Sequence, residues 1–116
     1  LHRPVRGVGR HLDRPLDAWR PGYRFTSACA ATVPVAFRAF LEADGYAAAV
    51  RAAVSVGGDT DTTACMAGGL AGAYWGVPGW VSDRVAAALG ADLLGVVAAF
   101  EARHPSALRH AADGPA

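Results

Sequence analysis

Lysine is absent from these 116 residues, so all eleven basic side chains are arginine. Ten acidic groups oppose them, and a formal net charge of +1 creates no global field to recruit nucleic acid or an anionic membrane. Charge is also sparse, at 18% of residues against 53% hydrophobic, which excludes intrinsic disorder. With 27 alanines beside the arginines, the composition reads as the coding bias of a GC-rich genome at least as readily as function. Cysteine is nearly missing. Cys29 and Cys65 form no C-x-x-C pair and lie in apolar, helix-like stretches, so two small buried thiols in a reduced, cytoplasmic protein are expected. There is no initiator Met, no signal-peptide core and no small-residue cleavage site. From that start the chain is expected to be an internal or C-terminal piece of a longer protein. The longest nearly uncharged run, residues 62–81, is broken by five glycines and Pro78, so no membrane span is expected. No stretch alternates with period two, and no Asn-Gly hairpin signal or internal repeat occurs, which leaves an all-α reading.

The length allows one small domain at most, able to bury roughly two-thirds of its unfolded surface. Residues 1–25 mix Pro4, Pro15 and Pro21 with Gly7, Gly9, Gly22 and six arginines, and read as a solvated loop segment. Residues 26–104 read as the helical part and 105–116 as a frayed tail. Thr26 or Ser27 can cap a first helix with Val33, Phe37, Phe40 and Leu41 at spacings of three and four, although Pro34 would move its start to near Thr32. After Asp44-Gly45, a second helix lines up Tyr46, Val50, Ala53 and Val54 and stops at Gly57-Gly58. A third follows Asp59. Ala64, Gly68, Gly72 and Gly76 fall on one side of it and Met66, Leu70 and Tyr74 on the other, so it reads as apolar all round and interior, with the small residues admitting a neighbouring backbone. Beyond Val77-Pro78-Gly79, Trp80 or Ser82 precedes a short helix to Leu89, closed by Gly90, and a last helix runs to about Arg103. Phe37, Phe40, Trp75 and Trp80 are expected in the core.

One constellation is dense in chemistry: Gly57-Gly58-Asp59-Thr60-Asp61-Thr62-Thr63, two glycines, two carboxylates and three hydroxyls leading into the third helix. Asp59 and Asp61 can direct carboxylates to one point, and Thr62 can add a hydroxyl oxygen, a donor set that suits Mg²⁺ or Mn²⁺. Opposing this, a helix N-terminus disfavours a cation, and Asp is a preferred N-cap after a Gly-Gly terminator. On the residues alone, cap and metal site both stand. The loop lacks the later ligands of an EF-hand and the lysine of a P-loop. The histidines His2, His11, His104 and His110 never share one helix face, and Gly7-Val8-Gly9 lacks the third glycine and the preceding strand of a dinucleotide fingerprint. No serine sits in a nucleophile elbow.

Gly57-Gly58-Asp59-Thr60-Asp61-Thr62 with Ala64, Ala67-Gly68, Leu70-Ala71-Gly72-Ala73-Tyr74 and Gly76-Val77-Pro78 resembles the C-terminal motif of the ADP-ribosylglycohydrolase family, which includes the dinitrogenase reductase-activating glycohydrolases. The similarity extends upstream through Gly22-Tyr23, Ala36-Phe37, Phe40-Leu41 and Tyr46-Ala49-Val50-Ala53-Val54, covering roughly residues 22–85. It implies a helical bundle that is the C-terminal part of a larger all-α hydrolase, removing ADP-ribose from a modified protein or related conjugate with two divalent ions, Mg²⁺ or Mn²⁺. Asp59 and Asp61 would be the catalytic metal ligands together with Thr62, and Asp61 would be shared between the ions. Tyr23, Arg24 and Phe25 stand where the loop before the first helix can face the pocket. The family's N-terminal Thr-Asp-Asp motif and upstream Glu have no counterpart here, and Asp13 and Asp17 do not sit in that motif. Half of the ligand set is therefore absent, and this chain alone is expected to be inactive. The expected partner is an ADP-ribosylated protein or an ADP-ribose-containing small molecule. The competing reading is a non-catalytic module or pseudoenzyme that binds ADP-ribose or serves only a structural role.

Overall fold

The computed structural model describes residues 12–105. Its described elements are a 3-10 turn at Leu16–Ala18 and helices α1 (Cys29–Leu41), α2 (Tyr46–Val56), α3 (Thr60–Trp75), α4 (Gly79–Ala88) and α5 (Ala91–Arg103), with no strand among the described residues. The class is all-α. The expectations for Gly7-Val8-Gly9, for His2, His11 and His110 and for the tail beyond Pro105 lie outside the described residues. The chain divides into two compact units, one up to Gly72 and one from Ala73 onward.

The first unit is organised around small side chains. Its core joins Leu16, Trp19, Val35, Ala36, Ala39, Ala53, Val56 and Ala67. Helix α1 buries Thr32, Val35, Ala36 and Ala39, spaced three, one and three, while Phe37 and Leu41 remain 39% and 56% exposed. Helix α2 buries Ala49, Ala53 and Val56 and leaves Val54 47% exposed. Apolar spacing points Phe37 and Val54 inward and the structure turns both outward: the distance between packed helices is set by the residues at the contact, and alanine lets these helices close further than phenylalanine would. Neither expected start of α1 holds. The helix begins at Cys29 behind Ala28, with no side-chain cap, while the Thr26 hydroxyl instead accepts the Ala28 N–H at 3.1 Å. Pro34 lies past the first turn and is buried, so the Ala30 carbonyl loses its helical donor, and the Thr32 hydroxyl bonds back to the Ala28 carbonyl at 3.3 Å.

Polar contacts fasten residues 12–20 to this pair. Glu42 Oε1 accepts the Leu16 N–H at 3.0 Å and the Arg38 guanidinium, which also donates to the Leu12 carbonyl at 3.1 Å. Arg20 donates to Asp17 at 2.7 Å and to the carbonyl and hydroxyl of Ser55 at 2.8 and 2.7 Å, placing a cation on the last turn of α2 where the helix dipole favours it. Arg14 lies over the Trp19 ring, 4.7 Å from its centroid.

Helix α3 buries Thr63, Ala67, Gly68, Ala71 and Gly72. At Gly68 a Cβ would stand 3.4 Å from both Tyr46 Oη and Val50 Cγ2, ordinary van der Waals contact, so α2 packs close to α3 at this point. The helix is not interior all round: Asp61, Cys65 and Gly69 are exposed, and Tyr74 is 73% exposed. Cys29 and Cys65 are both free and exposed, which corrects the expectation of buried thiols, because in α1 and α3 the inward stripe is occupied by alanine, glycine and threonine.

In the second unit, Pro78 occupies the N-cap position of α4, not Trp80 or Ser82, and Gly90 is the N-cap of α5 after Leu89 closes α4. Neither helix has a fully buried residue. Trp80, expected in the core, is 47% exposed, and Trp75 meets Tyr74 edge to face at 5.0 Å. No helix among the described residues is long and apolar enough to cross a membrane.

Candidate metal-binding loop

Helix α2 ends at Gly57, and the chain turns through Gly57 and Gly58 with φ of +87° and +72° before α3 begins at Thr60. Both angles lie in the left-handed region that residues with a Cβ rarely enter. This turn sets Asp59 at the threshold of α3 and Asp61 in its first turn. The Asp59 carbonyl accepts the Thr63 N–H at 3.1 Å and the Thr63 hydroxyl at 3.0 Å, and the Thr60 N–H bonds the Gly58 carbonyl at 3.0 Å. Thr63 is fully buried, so the loop is tied from beneath by a side chain that solvent does not reach.

Asp59 is half-buried and Asp61 exposed. The Asp61 carboxyl is held below its ordinary value chiefly by a hydrogen bond with the Asp59 side chain, then by the backbone N–H groups of Thr62 and of Asp61 itself. A proton or a cation between neighbouring carboxyls relieves the repulsion of two bare carboxylates. Thr62 is exposed on the same turn. The donors are all oxygen, the chemistry that Mg²⁺ and Mn²⁺ select, and as a partial ligand set they fit such an ion. Among the described residues no three His, Cys, Asp or Glu gather around one point. His104 lies far along the chain, exposed on the end of α5 against Phe100. Asp17 is paired with Arg20.

Tyr23 lies against the loop. Its ring atoms Cε1 and Cδ1 stand 2.7 and 3.0 Å from where a Gly58 Cβ would be, and the Arg24 carbonyl oxygen stands 3.2 Å from the same point. Burial raises the Tyr23 pKa first, and the nearby Asp59 charge adds to it. The ring meets Trp19 edge to face at 6.2 Å, and its hydroxyl faces the Ala31 carbonyl at 3.5 Å. With Arg14, Trp19, Arg24, Phe25 and Thr26, Tyr23 also lines an open cavity of 430 Å³. The Tyr23–Gly58 contact had no local signal in the sequence, because the two residues lie on opposite sides of α1 and α2 and meet only once those helices pack.

The ADP-ribosylglycohydrolase family model matches residues 3–110, nearly the whole chain. No curated protein and no solved structure matches it. Together with the helical architecture and the Gly-Gly-Asp-Thr-Asp-Thr loop, the match establishes that the chain belongs to the ADP-ribosylglycohydrolase family.

Proposed function

We propose that this chain supplies the C-terminal half of a dinuclear metal site in a hydrolase that removes ADP-ribose from a modified protein or a related conjugate. The observation that supports this reading is the Gly57-Gly58 turn that sets Asp59 and Asp61 at the start of α3, where the Asp59 side chain draws the Asp61 carboxyl below its ordinary value, within a chain of this family. Asp59 and Asp61 would hold Mg²⁺ or Mn²⁺ and Thr62 would add a hydroxyl oxygen. Bound there, the ions would orient ribose hydroxyls and a water molecule and stabilise charge as the bond to the anomeric carbon breaks. In the balanced hydrolysis, water oxygen bonds to that carbon and the acceptor leaves with a proton. The chain's own part is placement. Gly57 and Gly58 turn the backbone into α3, leaving Asp61 exposed and Asp59 half-buried, and buried Thr63 holds the Asp59 carbonyl. The other ligands would come from outside this set, so the chain alone is inactive in this reading. Two free, exposed cysteines are consistent with a reducing, cytoplasmic compartment.

The test is calorimetric titration of Mn²⁺ and Mg²⁺ into the folded chain and into Asp61→Asn. Binding that the substitution abolishes is the expected result. A folded chain that takes up no metal would remove the half-site. The second reading then stands, in which Asp59 and Asp61 serve only to start α3; it is supported by the Asp61 carboxyl facing the first-turn N–H groups.

A further inference from the structure

Buried Thr63 holds the aspartate loop from the helix side, at the Asp59 carbonyl. Gly57 and Gly58 both have left-handed φ, and an added Cβ at Gly57 would meet nothing within 4 Å. Gly58 is different: an aromatic ring occupies the place of its missing side chain, with Tyr23 Cε1 2.7 Å from the Cβ position and the Arg24 carbonyl at 3.2 Å. That ring is packed against the core cluster and meets Trp19, which is 9% exposed, edge to face. A continuous path of contact thus runs from the core through Trp19 and Tyr23 to Gly58, whose next residue is Asp59.

We infer that Tyr23 is a positioning residue, whose ring clamps Gly58 and thereby holds the Asp59–Asp61 carboxyl pair in place. Its relevance to catalysis rests on the metal reading above, but the clamp itself is a property of the metal-free chain and is tested there. The contact is made by ring carbons, so the phenol oxygen is dispensable to it, and Tyr23→Phe preserves what Tyr23→Ala removes.

The experiment is amide hydrogen exchange on the whole 116-residue chain without metal, read at Thr60 and Thr63, whose N–H groups bond Gly58 and Asp59, and at Ala49 and Ala53 in the buried face of α2. Tyr23→Ala should speed exchange at Thr60 and Thr63 by about tenfold or more while Ala49 and Ala53 keep their rates, and Tyr23→Phe should match the wild type at all four. Equal acceleration at Ala49 and Ala53 would mean that the ring only stabilises the fold, and unchanged rates at Thr60 and Thr63 would mean that it clamps nothing; either result overturns the inference. A second measurement guards against a poorly folded variant: Gly58→Ala should disturb Thr60 and Thr63 strongly when Tyr23 is present and distinctly less in the Tyr23→Ala background, where the ring no longer opposes the added methyl. Effects that simply multiply would also overturn the clamp. Mn²⁺ affinity measured on the same variants separates the two readings, because a wild-type chain with a clamped loop and no metal binding removes the half-site and leaves the clamp standing.

Discussion

At Asp59 a single side chain serves two candidate roles that respond differently to loss of charge. Asparagine caps a helix about as well as aspartate, so Asp59→Asn should leave the thermal midpoint of the metal-free chain nearly unchanged. The same variant should lose most of its Mn²⁺ affinity in a calorimetric titration. Retained affinity would assign Asp59 to helix initiation alone. Thr63, fully buried below the loop, donates its hydroxyl to the Asp59 carbonyl at 3.0 Å and faces the Thr60 carbonyl at 3.3 Å. Thr63→Val keeps the shape and leaves the Thr63 N–H to satisfy the Asp59 carbonyl, so a loss of about 1 kcal/mol is expected by urea denaturation. The two carboxylates and the glycine turn were legible as residues, since paired glycines end a helix and Asp-x-Asp sets two carboxylates close along the chain. Their common neighbour Tyr23 was not, because its contact with Gly58 spans two intervening helices.

Packing of the elements turns on glycine and alanine. At Gly68 the α2 side chains Tyr46 and Val50 stand 3.4 Å from the Cβ position, which is ordinary van der Waals contact with no spare room. Gly68→Ala should therefore be neutral or slightly stabilising, because removing a mid-helix glycine gains up to about 1 kcal/mol of helix propensity. Gly68→Leu must push α2 away and should cost about 1–3 kcal/mol. Thermal melts of the two variants check the pair, and equal stability would show that α2 does not pack closely here. Helical periodicity located α2, α3 and α5, with Gly45, Gly57 and Arg103 at or beside their bounds. It misjudged α1, where proline was read as belonging to a first turn that in fact lies earlier. It also ranked apolar positions by size and so turned Phe37 and Val54 inward.

At the scale of the whole molecule, the second unit leaves many apolar side chains in water. Leu93, Val96, Val97 and Phe100 form one stripe along α5, exposed at 51%, 66%, 43% and 65%, and Tyr74, Trp80 and Val85 are 73%, 47% and 50% exposed. Contiguous exposed apolar patches on a soluble chain mark association surfaces. Self-association at high concentration is expected in sedimentation velocity, and Val96→Glu with Phe100→Glu should shift the distribution toward monomer. A wild-type chain that sediments as a compact monomer across the concentration range would contradict this.

Residue type and spacing alone settled the all-α class, the approximate extent of the helices and the loop that bears Asp59, Asp61 and Thr62, because helical periodicity, glycine termini and carboxylate spacing are all local properties of the chain. Which face of each helix is buried was settled only by packing: a helix can turn either its large or its small residues inward, and in the first unit close approach of alanine and glycine faces set the contact, leaving Cys29, Cys65 and Phe37 exposed. The placement of Tyr23 over Gly58 belongs to the same class of fact. Two residues far apart in the chain meet at van der Waals distance only when the helices between them have closed, and no pattern along the sequence encodes that distance.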